Sequence, residues 1–161
     1  MTVILWLTLL QIKIPGVQTI DLSTVRHLYQ RAPVVKQDAG QLNRLMLQVD
    51  SDTDAPVLLC YKGANEMIQA KYTLNPIIKL QKFNKGKKLI INAVNRDSLS
   101  LEIRFIRYSI QSNLPDFLGF HDELYTDKRF IDDNINNSKD AQLKEMIFNY
   151  LSAAKPDKFK L

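Results

Sequence analysis

Apolar residues along most of this chain recur every three or four positions, the spacing that places them on one face of an α-helix. The pattern begins near Thr19 and continues almost to the C-terminus, interrupted by prolines and short polar segments. We therefore predict an all-α protein of about seven helices and no sheet. Five are predicted at about 21–32, 35–49, 56–74, 76–96 and 99–113, and two more open near Asp122 and Ser138.

Several of these boundaries carry helix-start signals. Asp21 and Asn75 can cap helices with their side chains, and Pro56 and Pro76 suit a first helical position. The connections are short, which predicts stacked antiparallel pairs of helices. Gly63 lies within the broadly apolar third helix and would let a neighbouring helix approach closely. The predicted central core comprises Tyr61, Ala64, Ile68, Phe83, Ile90, Ile106 and Ile110.

The N-terminus carries a separate signal. Residues 3–10 form an apolar run that is too short to span a bilayer, which takes about 20 apolar residues, but has the length of a signal-peptide core. Pro15 and Gly16 follow it. We predict a cleavable signal peptide over 1–19, a single helical domain over 20–161, and export, in a bacterium to the periplasm. No membrane span is expected in the mature chain. The alternative is a cytoplasmic chain in which the run is a buried element.

Helices three to five are similar to a tetratricopeptide arrangement. Gly63-Ala64 falls where a small residue meets the partner helix, and Ala93, Asp97 and the helix from Leu99 resemble a boundary between two repeats. Ser98 stands where the family has a proline. Helices of about 20 residues are also too long for two of them to fit in a 34-residue repeat. The resemblance implies a tetratricopeptide-like α-solenoid with irregular repeats.

The segment 62–131 also resembles a family of uncharacterised, exported bacterial proteins. That resemblance implies fold and export and no particular activity. It is carried by Ala70-Lys71, Asn75-Pro76, Phe83-Asn84-Lys85-Gly86-Lys87, Glu102-Ile103-Arg104-Phe105, Arg107-Tyr108 and Phe117-Leu118-Gly119-Phe120.

Composition and the absence of certain motifs argue against several classes of function. Cys60 is the single cysteine among 161 residues, which excludes an internal disulfide, and its apolar surroundings predict a buried, inert thiol. His27 and His121 are too far apart to suggest a metal site, and the chain has neither a phosphate-binding loop nor a dinucleotide glycine pattern. We therefore expect no cofactor and no metal. Nucleic-acid binding is not expected, since Phe83 among the lysines of the fourth helix falls on the apolar stripe.

A catalytic alternative rests on one histidine. His121-Asp122-Glu123 opens the sixth helix, where acidic residues interact favourably with the helix dipole. A hydrolase that uses His121 with nearby carboxylates is the alternative hypothesis, although no nucleophile motif accompanies it. Whether the chain is an enzyme is left open, with binding favoured and no catalytic residue predicted.

The best binding feature is a group of four cations. Lys85, Lys88, Arg104 and Arg107 lie at similar heights on either side of the turn at Asp97, so an antiparallel hairpin brings them together. Such a patch needs a counter-charge, supplied by Glu66 or Glu102 of the same chain or by a ligand carboxylate. The net charge of +5 permits an acidic partner. The sequence thus predicts a non-catalytic exported protein that binds a protein or peptide partner.

Residues 114–120 form the most apolar of the predicted loops. Such a loop either plugs the core or covers a ligand, and the sequence leaves both alternatives open.

Overall fold

A computed structural model of the chain describes residues 20–153, and the predicted signal peptide over 1–19 lies outside them. The described part is all-α, with seven helices and no strand, which confirms the predicted fold class. The helices are α1 (Leu22–Arg31), α2 (Lys36–Met46), α3 (Pro56–Lys71), α4 (Pro76–Arg96), α5 (Leu101–Gln111), α6 (Leu124–Asn134) and α7 (Ala141–Ala153). The tetratricopeptide resemblance stays a prediction.

The predicted start signals act as expected. The Asp21 carboxylate accepts the backbone N–H groups of Ser23 and Thr24, and the Asn75 side chain caps α4 in the same way. Pro76 occupies the first turn of α4, where its missing N–H leaves no hydrogen bond unmade. The helix ends are less well predicted: α2 and α3 each stop three residues before the predicted position.

Each helix from α1 to α5 packs against the next helix in the chain, and α3 with α4 forms the most extensive contact. Gly63 of α3 faces Gly86 of α4, so the two backbones touch at this crossing. The close approach predicted at Gly63 is therefore confirmed.

The odd-numbered helices α1, α3, α5 and α7 run in one direction and form a ring, because each contacts the next and α7 contacts α1. Aromatic pairs hold two sides of the ring. Tyr29 of α1 packs edge-on against Tyr61 of α3, with ring centroids 5.3 Å apart. Phe105 of α5 packs against Tyr150 of α7, with centroids 5.5 Å apart. The ring has two ends, one where these helices begin and one where they finish.

The core consists of two clusters. The larger is shared by α1 to α5, and the smaller joins α5, α6 and α7 through residues such as Phe105, Ile131 and Ile147. Of the seven predicted core residues, six are buried and Ile110 is half-buried at the edge of the larger cluster. Cys60 is fully buried, and this burial raises the pKa of its thiol well above the usual range.

The loop over 114–120 plugs the larger cluster. Phe120 is buried there, with Leu114 and Leu118 packed against the same cluster, whereas Phe117 is 85% exposed. The Nζ of Lys87 donates to the carbonyl oxygen of Gly119 at 2.9 Å and lies 5.1 Å from the centroid of the Phe120 ring. These contacts tie the loop to α4.

Candidate functional site

A buried ionic cluster joins the odd helices at the end of the ring where they begin. Arg26 of α1 donates two hydrogen bonds to Glu102 of α5, at 2.7 and 2.6 Å. Its Nη2 also donates to Asp140, which caps α7, at 2.7 Å. The hydroxyl of Tyr61 in α3 donates to Glu102 at 2.7 Å. The guanidinium of Arg26 thus links α1 to α5 and to the cap of α7, while α3 joins the cluster through the carboxylate of Glu102, a geometry that satisfies charges that would be costly if left unpaired.

At the other end of the ring, where the odd helices finish, a cleft of about 700 Å³ opens to solvent. Its location follows from the ring, because the ends of all four odd helices surround it. The principal apolar lining residues are Ala64, Met67, Ile68, Phe105, Ile110, Leu114 and Met146.

The polar groups inside the cleft bind one another. The hydroxyl of Tyr29 lies 2.7 Å from the Oγ of Ser109. The hydroxyl of Tyr150 bonds to Ser112, to the Nδ2 of Asn113 and to the carbonyl oxygen of Ser109. Burial raises the pKa of both tyrosine hydroxyls above the usual value. The interior of the cleft therefore offers an apolar surface with satisfied hydroxyls.

The rim of the cleft differs from its interior. Gln30, Asn113 and Asn149 are exposed amides that line the opening. Lys71 also lies there, and its Nζ donates to the carbonyl oxygen of Pro33 at 2.6 Å. The Nδ2 of Asn113 and the Nε2 of Gln30 already donate within the protein, so the rim can pair with a peptide backbone through the side-chain oxygens of these two residues and through the amide of Asn149.

In the structure, the arginines and the lysines of the predicted basic patch do not share a counter-charge. Arg104 and Arg107 come together on the carboxylate of Asp127 in α6, with N–O distances of 2.6 to 2.8 Å. Asp127 is fully buried and Arg107 is 7% exposed. Arg107 is therefore buried in the fold, with its guanidinium already paired with a carboxylate of the same chain. The counter-charge of the arginines is Asp127, whereas Glu102 is bonded to Arg26.

The two lysines of the predicted patch lie on α4. Lys85 donates to Glu66 at 2.6 Å, and Lys82 donates to the other oxygen of the same carboxylate at 3.3 Å. Burial raises the pKa of Glu66, but these two lysines outweigh that effect and hold it below its usual value. Lys88 is exposed. Binding of an acidic partner by the four cations together stays a prediction.

His121 lies in a separate hollow of about 430 Å³, which Ser112 and Asp116 also line. Its Nε2 is 3.1 Å from the carbonyl oxygen of Leu114, a contact in which the ring nitrogen must donate. The Oγ of Ser112 bonds to Tyr150 and to the carbonyl oxygen of Ser109. The geometry thus brings a histidine, a serine and a carboxylate into one hollow without a bond between the histidine and the serine.

Within residues 20–153, no cluster of three or more histidine, cysteine or acidic side chains is arranged to hold a metal ion. None of the helices in that range combines the length and apolar character needed to cross a bilayer.

Sequence reasoning missed Arg26, Asp127 and the cleft. A signal for the first two exists. Arg26 lies four residues after Leu22, and Asp127 lies three after Leu124, so each stands on the apolar stripe of its helix. A charged residue on such a stripe indicates a buried ion pair.

Comparison of the chain with known proteins found no matching family model, no similar curated protein and no similar solved structure. The resemblance to an uncharacterised exported family stays a prediction.

Proposed function

We propose that this protein is a non-catalytic, exported binding protein that holds an apolar segment of a protein or peptide partner in the cleft. The observation that carries the proposal is the combination of an apolar interior with a rim of exposed amides. Side chains of the partner would fill the interior, and its backbone would bond to Gln30, Asn113 and Asn149.

The size and chemistry of the cleft support a partner segment over a polar cofactor. A volume of about 700 Å³ falls within the range of ligand-binding pockets. Small polar ligands are usually oriented by a few unpaired polar groups. Here the hydroxyls of Tyr29 and Tyr150 are already bonded to protein groups, so apolar contact remains the main source of affinity.

The test begins with a pull-down from native extract, followed by titration of the partner that is recovered. Asn149→Trp places an indole at the rim on an exposed helix position, which obstructs the cleft without disturbing the core. We expect its affinity for the partner to fall by about tenfold or more, as for loss of an anchoring contact. Asn95→Trp on α4 is the matched control, exposed and remote from the cleft, and should bind as the wild type does. Equal affinity of the Asn149→Trp and wild-type proteins would refute the proposal.

Export is tested separately. Intact-mass measurement on protein from the native host should give a mature chain that begins near Thr19 or Ile20. A full-length mass that retains Met1 would contradict cleavage.

The hydrolase alternative has one supporting observation, the hollow shared by His121, Ser112 and Asp116. In a hydrolase the nucleophile is bonded to its base, and here Ser112 is bonded to Tyr150 instead. Covalent labelling of Ser112 by a fluorophosphonate, abolished in His121→Ala, would favour this alternative over binding.

A further inference from the structure

The beginning of α4 projects from the fold with its apolar side chains uncovered. All residues from Leu74 to Gln81 are exposed, and burial begins only near Phe83. Four large aliphatic side chains lie in this short segment with exposures between 43% and 98%: Leu74, Ile77, Ile78 and Leu80. Uncovered apolar side chains grouped in this way mark an interaction surface more often than scattered ones do.

The same segment is strongly basic. No aspartate or glutamate occurs between Met67 and Arg96, whereas the interval holds six lysines, Lys71, Lys79, Lys82, Lys85, Lys87 and Lys88. Among the described residues, Glu66 is the one carboxylate paired with any of them, and Lys82 and Lys85 share it. A net positive charge therefore surrounds the uncovered apolar side chains.

Three exposed aliphatic residues and one lysine occupy the same side of α4. Helical spacing aligns Ile77, Leu80, Lys88 and Ile91, and each of them is exposed. The opposite side carries Phe83, Gly86 and Ile90 and packs against the core. The outward side of α4 thus presents aliphatic side chains with Lys88, and Lys79 lies on the exposed first turns of the same helix.

We propose that the outward side of α4 together with its exposed beginning, called the α4 surface and comprising Leu74, Ile77, Ile78, Leu80, Lys79 and Lys88, docks on an anionic lipid surface. Aliphatic side chains enter the boundary between headgroups and acyl chains, and lysines bind the headgroup phosphates. The proposal concerns a surface separate from the cleft and does not depend on the function proposed for the cleft.

Charge complementarity selects this occupant. A second copy of the chain would present the same positive surface, so like charges would oppose self-association through α4. A short acidic peptide would neutralise the lysines but would have to supply apolar groups to cover four aliphatic side chains. An anionic bilayer provides negative charge and an apolar layer together, over an area larger than the α4 surface.

The first experiment locates the contact within the full chain. Trp6 is the single tryptophan, so a Trp6→Phe background lets a new tryptophan report on one position. In that background Leu80→Trp probes the α4 surface, and Phe148→Trp, exposed on α7, is the control. With phosphatidylglycerol vesicles that carry brominated acyl chains, Leu80→Trp emission should shift to the blue and be quenched. The Phe148→Trp emission should change little.

The second experiment measures affinity by co-sedimentation with vesicles. In the Trp6→Phe chain, binding to phosphatidylglycerol vesicles should have an affinity that drops as salt increases. Ile77→Asp with Leu80→Asp should weaken binding by about tenfold or more. Lys79→Gln with Lys88→Gln should weaken it by roughly fivefold for each lysine. Leu47→Asp, an exposed aliphatic position at the end of α2, is the matched control and should leave binding unchanged.

Three results would overturn the proposal. One is a Leu80→Trp emission that does not respond to anionic vesicles while the chain binds them. A second is equal binding to phosphatidylglycerol and phosphatidylcholine vesicles. A third is saturable binding of polyglutamate at the α4 surface without vesicle binding, which would assign the surface to an acidic protein.

Discussion

Gly63 and Gly86 face each other where α3 crosses α4, so closely that neither has space for a side chain. A Cβ added to Gly63 would lie 2.8 Å from the carbonyl oxygen of Gly86, and one added to Gly86 would lie 2.6 Å from that of Gly63. Both neighbouring atoms belong to backbones, which cannot rotate away as side chains do. The most extensive helix contact of the protein therefore depends on these two glycines.

Replacement of Gly86 by alanine should separate the two helices. Alanine favours a helix over glycine by about 1 kcal/mol, but overpacking against a backbone costs about 1–3 kcal/mol and disturbs the surrounding core. We expect a net loss in the free energy of unfolding, measured by urea denaturation. Gly40→Ala in α2 is the control, since its nearest neighbour is a guanidinium nitrogen at 3.8 Å, and should stabilise by about 0.4–1 kcal/mol. A Gly86→Ala protein as stable as the wild type would contradict the close contact.

Two phenylalanines provide a matched test of the core. Phe83 is 7% exposed within the larger cluster, whereas Phe117 is 85% exposed on the loop that closes it. Phe83→Ala should lower the free energy of unfolding by about 3–5 kcal/mol, because it removes buried area and leaves a cavity. Phe117→Ala should change it by less than about 0.5 kcal/mol. Denaturant unfolding of both variants checks this, and similar losses from the two would refute the assigned core.

Glu102 should matter far more to stability than an exposed carboxylate in an ion pair. Glu102→Gln leaves the buried guanidinium of Arg26 with one anionic partner fewer, and loss of a partner from a buried pair costs about 3–5 kcal/mol. Asp132→Asn breaks the exposed pair with Lys128 and should cost about 0.3–0.5 kcal/mol. Thermal unfolding of both variants measures the difference. A loss below about 1 kcal/mol for Glu102→Gln would show that Arg26 does not need this partner.

The pH dependence of stability should reveal the role of Asp140. Its hydrogen bond from Arg26 holds the pKa of the carboxyl below its usual value of 3.8, against the smaller opposing effect of burial. A lowered folded-state pKa adds stability at pH values above 3.8, and that stability is lost as pH falls through the folded-state pKa. The difference in unfolding free energy between wild type and Asp140→Asn should be constant above about pH 5 and should shrink below about pH 4. A difference that grows with acidification would contradict the assignment.

The local start signals were predictable because they act over a few residues. Asp21 and Asn75 cap helices through atoms two and three positions away, and Pro56 and Pro76 act through their own rings. The buried residues of the core were predictable because helical spacing alone decides which side chains share a face. The end of α3 was not, and Tyr72 at that end donates a hydrogen bond from its hydroxyl to the carbonyl oxygen of Ala32, a long-range contact that spacing does not reveal.

The counter-charges of the arginines depend on long-range packing that spacing cannot reveal. The sequence predicts Glu66, Glu102 or a ligand carboxylate as the counter-charge of the basic patch, and Glu66 does pair with Lys85. The partner of Arg104 and Arg107 is instead Asp127, which α6 brings across from a later part of the chain. Arg107 lies four residues after Ile103, so its position on the apolar stripe of α5 is the sequence signal for its burial.

The cleft could not be predicted because its lining is dispersed through the chain. Tyr29 and Tyr150 line the same space although most of the sequence separates them. Their meeting requires α7 to return to α1, and no feature of either helix alone specifies that neighbour.

The contact between α1 and α7 also limits how this architecture can change in length. An open row of helical repeats can gain or lose a unit, since each repeat contacts only its neighbours. In this protein Arg26 near one end of the row is bound to Asp140 and Gln142 near the other. An inserted hairpin would move α7 away and leave a buried guanidinium without these partners. Duplication of a hairpin, the ordinary route by which repeat proteins lengthen, would therefore destabilise this fold.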